Sequence, residues 1–283
     1  MRLAALRDAP SAFGMTLAEA SAETDAQWRE RAARVPCAYV LAFDASEAVG
    51  LAAGVLTAGG EYHLMAMWVR PQWRGKGIAA ALVGAAQMGA IEFHIWGSRN
   101  RALDLPDRMV FDLDPGEGVE WAQVVEGATL VRGLLDELGL KSLLKTSGGK
   151  GLHVVVPLAR REGWDVVKDF SEAVVQHLAE HAAQRFVARS GPKNRVGRIF
   201  VDYLRNGRGA TTVAAYSARV RPGLGVSLPV GWDELPTLQN PHATVANALP
   251  LLAASAAAWA GWERVRQPLG PAMKRLGFKP AAV

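Results

Sequence analysis

Asp112 and Asp114 stand two residues apart at the end of Met109-Val110-Phe111-Asp112-Leu113-Asp114-Pro115. Three apolar residues lead into the first acid, so the run predicts a strand, and in a strand residues i and i+2 share a face. Pro115-Gly116 stops it. Two like charges so close repel unless something positive sits between them. A hard divalent cation with oxygen ligands is the usual answer. A third carboxylate, Asp202, lies in Ile199-Phe200-Val201-Asp202-Tyr203, another apolar, strand-like run. Three aspartates on adjacent strands suit one or two Mg²⁺ or Mn²⁺ ions in phosphoryl or nucleotidyl transfer. The bland alternative is that Asp112 and Asp114 merely end a strand and cap a turn.

The surrounding charge favours the first reading. The chain has 283 residues, half of them hydrophobic, and a net charge of +5. Residues 1–86 carry eight basic and eight acidic side chains, so the excess lies after residue 86. Between Arg185 and Arg221 there are nine Lys or Arg residues and one acid, Asp202; eight of the nine are arginines. Arginine is the better partner for phosphate, and a basic block around a metal-type carboxylate points to a polyanionic ligand. The plain alternative is a solvated basic face. One cysteine, Cys37, excludes an internal disulfide and a cysteine-rich zinc site and fits a reducing cytoplasm. No apolar run reaches the ~18 residues of a membrane span, and the charged start, Met1 to Asp8, does not read as a signal peptide.

The elements that must position these residues are mixed α/β. In the first part, Ala18 to Arg34 predicts a helix. Tyr39 to Phe43, Val49 to Leu56 and Tyr62 to Val69 predict three strands, separated by Asp44-Ala45-Ser46 and Gly59-Gly60. Then Arg70-Pro71-Gln72-Trp73-Arg74-Gly75-Lys76-Gly77-Ile78-Ala79 leads into an alanine-rich helix to Ala86. A glycine-rich turn between a strand and a helix N-terminus is a phosphate cradle. Beyond the aspartate strand, Trp121 to Leu138 predicts an amphipathic helix ending at Gly139. Leu143 to Pro157 reads strand, polar glycine turn, strand, with Ser147 and Lys150 in the turn and His153 at the second strand's start. A strand follows this turn, so it is not a Walker A loop; alone it reads as a hairpin. Trp164 to His181 predicts a second helix, Arg198 to Leu204 the strand bearing Asp202, and Leu249 to Trp259 another helix. His94, beside Trp96, reads on its own as structural.

Residues 1–86 resemble the GNAT acetyltransferases. Gln72, Gly75 and Gly77 match the family's pyrophosphate-binding Q/R-x-x-G-x-G/A signature, and Leu3 to Gly14 resembles its first helix region. The resemblance implies acetyl-CoA contacts by Trp68, Val69, Arg74, Gly75, Lys76, Gly77, Ile78 and Ala79. The family's first strand and the strands after Ala86 have no counterpart, so the segment reads as a truncated fragment.

From about Gln87 to Phe278 the chain resembles the polymerase domain of bacterial DNA ligase D, in the archaeo-eukaryotic primase superfamily. Five ordered motifs carry this: G-x-I-E-F-H-x-W at 89–96, F-D-L-D-P at 111–115, K-T-S-G-G-K-G-L-H at 145–153, F-V-D-Y-L-R-N at 200–206 and Y-S-x-R-x-R-P-G at 216–223. The resemblance implies metal ligation by Asp112, Asp114 and Asp202. It implies nucleotide or phosphate contacts by His94, Ser147, Lys150, His153, Arg195, Arg205 and Arg221. The implied reaction is addition of nucleoside triphosphates, ribonucleotides favoured, to DNA ends during non-homologous end joining. Ku and a DNA ligase would be partners, in the bacterial cytoplasm at the nucleoid. The family's first hundred or so residues, which carry 5′-phosphate and template contacts, are replaced by the acetyltransferase-like sequence. The expected organisation is 1–86 and 87–283: an incomplete GNAT-like sheet, then an N-terminally truncated primase-type core. A gene fusion, a deletion spanning two genes and an assembly error all produce such a seam. The rival expectations are an acetyl-CoA-dependent N-acetyltransferase and an inactive remnant that binds DNA.

Overall fold

The computed structural model describes residues 1–10, 13–33, 37–44, 47–56, 62–87, 92–99, 102–240 and 242–281. The turns at Ala45-Ser46 and Gly59-Gly60, and Gly89 and Ile91 of the first ligase D motif, lie outside the described residues. The chain divides into two units, Met1–Ile91 and Glu92–Val283.

The first unit contains α1 (Arg2–Asp8), α2 (Leu17–Ala22), α3 (Asp25–Ala33), β1 (Cys37–Asp44), β2 (Glu47–Leu56), β3 (Tyr62–Val69) and α4 (Ile78–Gln87). The strands form an antiparallel sheet in the order β1-β2-β3. Alternation along β2 serves two faces: Leu51 packs with Ala5 and Trp68, whereas Ala52 packs with Val69 and Leu82. The helix expected over 18–34 is two helices. Thr24 breaks it: its hydroxyl oxygen accepts from the Gln27 N–H and the Gln27 side chain accepts from the Thr24 N–H, a reciprocal cap that starts α3.

The second unit contains β4 (His94–Trp96), β5 (Ser98–Arg99), β6 (Ala102–Pro106), β7 (Arg108–Pro115), α5 (Trp121–Glu137), β8 (Leu143–Thr146), β9 (Leu152–Pro157), α6 (Trp164–His181), β10 (Phe186–Val187), β11 (Ile199–Asp202), β12 (Thr211–Val213), β13 (Pro229–Val230), α7 (Ala248–Ala258) and α8 (Gly270–Leu276). Its main sheet runs β10-β11-β7-β9-β8-β13. Within that sheet β10 and β11 pair parallel, and the other described strand pairs are antiparallel. β4 pairs with β12, and β5 with β6.

The period of two decides which face each residue takes. Met109, Phe111 and Leu113 of β7, with Leu152, Val154 and Val156 of β9, join the core formed with α5, α6 and α8. Each such large apolar side chain contributes about 1.5–3 kcal/mol on burial. The intervening residues face the other way: Val110 and Val155 pack against Trp259, and Asp112 and His153 lie in the same alternation. α5 ends as its composition predicts. Gly139 has φ +77°, its N–H donates to Asp136 O, and the Leu140 N–H donates to Leu135 O, a Schellman closure.

Candidate metal and nucleotide site

Strand register builds the site. On β7, Asp112 is opposite Asp202 of β11 on one side and His153 of β9 on the other. His153 is in turn opposite Lys145 of β8. Asp202, Asp112, His153 and Lys145 therefore form one row across four adjacent strands. Asp114 lies two residues along β7 on the same face, and the carboxylate oxygens of Asp112, Asp114 and Asp202 lie within 4.8 Å of one another.

β11 is shorter than the expected 198–204 strand. It stops at Asp202, a 3-10 turn follows at Leu204–Asn206, and the Asp202 carboxylate accepts from the Leu204 N–H at 2.9 Å. Asn206 then does what the next strand residue would have done. The Val110 N–H donates to its Oδ1 at 2.7 Å, and its Nδ2 donates to the Val110 carbonyl at 2.9 Å. The buried Asn206 amide so closes the edge of β7 that β11 leaves open.

Each acid has its own electrostatic setting. Burial works against ionised Asp112, but His153, with Nε2 3.3 Å from Oδ1, and the nearby Arg205 and Lys145 outweigh it and hold the carboxyl below its usual value. Burial raises Asp114, the negative charge of Asp112 raises it further, and Arg195 at 3.2 Å only partly offsets this. Burial likewise raises Asp202, against the opposing pull of Arg205 at 2.9 Å. Arg205 also lies 3.8 Å from Asp112. Two arginines thus sit on the three carboxylates, and two of the acids still resist ionisation. An all-oxygen donor set with uncompensated negative charge fits a hard divalent cation such as Mg²⁺ or Mn²⁺.

Lys145 is fully buried, and its Nζ donates to Ser227 Oγ at 2.8 Å. Burial lowers its pKa to about 7, and Asp112 pulls the other way. Burial also lowers His153, opposed by Asp112. His153 Nδ1 is buried without a hydrogen-bond partner among the described residues.

The glycine turn after β8 is tightly built. Ser147 Oγ accepts from the Gly149 and Gly151 N–H groups, both at 3.2 Å. Two of the turn's backbone amides are therefore satisfied within the turn. The hydroxyl proton of Ser147 stays available to another acceptor. A Cβ on Gly151 would lie 2.1 Å from Leu113 O, so only glycine lets this turn approach β7. Lys150 is exposed, and the Arg221 guanidinium lies beside Gly149. Arg219 Nη1 donates to the Ser147 carbonyl at 2.8 Å, and its Nε lies 2.7 Å from Glu92 Oε1. Glu92 also lies 2.7 Å from His94 Nε2 and accepts from the Val220 N–H at 2.9 Å. Burial opposes the Glu92 charge, yet these partners bring its pKa down to about 2. His94, on β4, is thereby linked through Glu92 and Arg219 to the Ser147 turn.

Lys145, Glu92, Asn206 and Arg219 lie inside the motifs quoted above, but nothing in their local spacing marks a role for them. A lysine within a strand pattern, opposite no visible partner, was the only signal for Lys145.

In the first unit, Gly75 and Gly77 have φ +75° and +78°, and a Cβ on either would meet nothing within 4 Å. Ile78 begins α4, Ala79 is exposed in its first turn, and Lys76 Nζ lies 4.1 Å from the Trp73 ring centre. Trp68 and Val69 are buried in β3. The Trp68 indole N–H donates to Asp8 at 2.7 Å, and Arg74 pairs with the same carboxylate. Arg74 Nε also donates to the Val69 carbonyl at 3.0 Å.

Comparison with known proteins gives each unit a likeness. Residues 77–259 match the family model of the LigD primase-polymerase domain, and residues 4–98 match that of the acetyltransferase (GNAT) family. The multifunctional non-homologous end joining protein LigD of Pseudomonas aeruginosa is 54% identical over 200 residues, 70% of this chain and 24% of that protein. Its Mycolicibacterium smegmatis counterpart is 38% identical over 157 residues, 54% of this chain and 20% of that protein. The chain thus spans about a quarter or less of these relatives' length. The solved polymerase domain of Mycobacterium tuberculosis ligase D in complex with DNA matches with a TM-score of 0.55 and 27% identity, over 81% of this chain and 75% of that one. With more than half of its residues inside the first of these family models, the chain belongs to the LigD primase-polymerase family.

Proposed function

We propose that this protein transfers nucleotidyl units from nucleoside triphosphates to the 3′-hydroxyl of DNA ends, with Mg²⁺ or Mn²⁺ held by Asp112, Asp114 and Asp202. The observation that carries this is the row Asp202–Asp112–His153–Lys145, with Asp114 on the same face and the Ser147 turn at its edge. A bound divalent ion supplies Lewis-acid polarisation of phosphate oxygens and a more acidic attacking hydroxyl.

The chain's own groups do the rest. Asp112 is kept ionised by His153, Arg205 and Lys145. Ser147, Lys150, His153 and Arg221 would contact the triphosphate, and Arg195 and Arg205, beside the carboxylates, would add positive charge for developing negative charge. His94 is oriented by Glu92 to meet the sugar or a phosphate. The relatives' names support a place in non-homologous end joining. By that likeness the partners are DNA ends, ribonucleoside triphosphates, Ku and a DNA ligase, and the location is the bacterial cytoplasm at the nucleoid. Among the described residues no helix is long and apolar enough to cross a membrane.

Extension of a primer on a gapped duplex with ATP and Mn²⁺ tests this reading. Incorporation by the wild type and none by Asp202→Ala is expected. Equal incorporation by both overturns it.

A second reading concerns residues 1–86, taken as a module distinct from 87–283. The open, left-handed Gly75 and Gly77 before α4 favour acetyl-CoA pyrophosphate binding there. Calorimetry with acetyl-CoA should give heat that Gly77→Val removes. No heat with the wild type would leave this unit without a ligand.

A further inference from the structure

Lys145 is buried on β8, where a methionine of similar length would carry no charge to desolvate. Its amine instead donates to Ser227 Oγ at 2.8 Å, and the Ser227 hydroxyl donates in turn to the Thr146 carbonyl at 2.7 Å. With its proton so committed, the Ser227 oxygen accepts from Lys145 whether the amine is charged or neutral. Burial brings the Lys145 pKa to about 7, so the contact has to hold in both states near neutral pH. Ser227 is also the foot of a hairpin. Its N–H donates to the Ser217 carbonyl at 2.9 Å, and its own carbonyl accepts from the Tyr216 N–H at 2.6 Å. Ala218 then bridges Val226 antiparallel, and the Arg219 N–H donates to Gly225 O at 2.8 Å. Tyr216 holds φ +68°, a conformation that a bulky side chain adopts only where its surroundings enforce it. Near the hairpin's tip is Arg221, whose Nη1 would stand 3.4 Å from a Cβ on Gly149 of the Ser147 turn.

We propose that Lys145 is a positioning residue: by clasping Ser227 it sets the hairpin 216–227 so that Arg221 is held at the Ser147 turn for the triphosphate, without itself touching the nucleotide. This role rests on the nucleotidyl-transfer reading. It joins two motifs more than eighty residues apart, K-T-S-G-G-K-G-L-H and Y-S-x-R-x-R-P-G, through one buried side chain. The rival role for Lys145 is that of counter-charge to Asp112 alone. The two differ in what Ser227 does. A counter-charge has no need of the Ser227 hydroxyl, whereas the clasp is lost with it while the Lys145 charge remains.

Kinetics and hydrogen exchange on the full chain test this. Ser227→Ala should raise KM for ATP in Mn²⁺-supported incorporation by about tenfold, the loss expected when a buried hydrogen bond to a charged group goes, with kcat unchanged. Lys145→Met should raise KM by the same factor. Ser227→Ala/Arg221→Ala should raise it no more than Arg221→Ala alone, because both changes act through one contact. With no ligand present, the amides of residues 216–227 should exchange with deuterium faster in Lys145→Met and Ser227→Ala than in the wild type. An unchanged KM in Ser227→Ala, additive effects in the double variant, or unaltered exchange overturns the proposal. Ser227→Ala carries the test from the other side of the clasp if Lys145→Met fails to fold. If the wild type neither binds nor incorporates ATP, the polymerase reading falls, and the exchange comparison alone decides the clasp.

Discussion

Asp112 ties the site together: His153, Arg205 and Lys145 favour its charge, and that charge in turn raises Asp114 and Asp202. Asp112→Ala or Asp202→Ala is expected to reduce nucleotide incorporation to background with a native circular dichroism spectrum; the melting temperature should be unchanged or higher for Asp202→Ala, whose carboxyl resists ionisation, and lower for Asp112→Ala, which takes a counter-charge from His153 and Lys145. Activity in either variant, or unfolding, would count against a metal role. Glu92 gives a pH test. Its folded pKa, about 2, lies below the ordinary 4.5. Its contribution to stability is therefore complete above pH 4.5 and is lost as pH falls toward 2. Glu92→Gln should cost about 1–3 kcal/mol at pH 7, with the gap to wild type in urea unfolding closing below pH 4.5. A gap independent of pH would mean that the charge plays no part. Asp112 and Asp114 were legible in the sequence because i, i+2 spacing is local. Glu92 and Lys145 are not, since Arg219 and Val220, which hold Glu92, and Ser227, which accepts from Lys145, lie more than eighty positions away.

At the scale of elements, β7 is held on each side by a different device. Its β9 side depends on the glycine at 151, and its β11 side is completed by the Asn206 amide. Gly151→Ala should destabilise the protein by about 3 kcal/mol through backbone overlap and lower incorporation, since the shift falls between Asp112 and His153. Asn206→Ala should cost about 2–4 kcal/mol, because a buried N–H and a buried carbonyl both lose their partners. Chemical denaturation measures each; a loss within 0.5 kcal/mol, about the effect of a neutral surface change, would refute the structural role. Helix α6 was read from the sequence to the residue, because its apolar face repeats without a break from Trp164 to His181. The strand ending after Asp202 was misjudged by two residues. Leu204 reads as apolar and strand-like, but the side chain of Asp202 captures its N–H and turns the chain.

Over the whole molecule, net charge overstates what is free to meet a polyanion. Among the described residues, five of the nine cations between Arg185 and Arg221 are ion-paired: Arg185 with Glu126, Arg195 with Asp114, Arg205 with Asp202, Arg208 with Asp104 and Arg219 with Glu92. DNA binding should still weaken steeply with salt, because phosphate contacts release counterions. Arg221→Ala should reduce the slope of log K against log salt by about one without changing sequence preference. A flat isotherm between low and physiological salt would exclude this mode of binding. Composition shows where the basic block lies; except for Asp202, three residues from Arg205, the acids that pair with it come from distant parts of the chain, so the pairing is not legible there.

The two arginines resting on the aspartates carry one more consequence. Arg195 and Arg205 hold the same carboxylates that a divalent ion would claim. Any ion that displaces them turns two internal ion pairs into two unsatisfied guanidinium groups at the mouth of the site. Those groups would then prefer an anion. Metal and triphosphate should consequently favour each other's binding, each raising the other's affinity by the same factor. Neither ligand alone would release both arginines from the carboxylates they pair with.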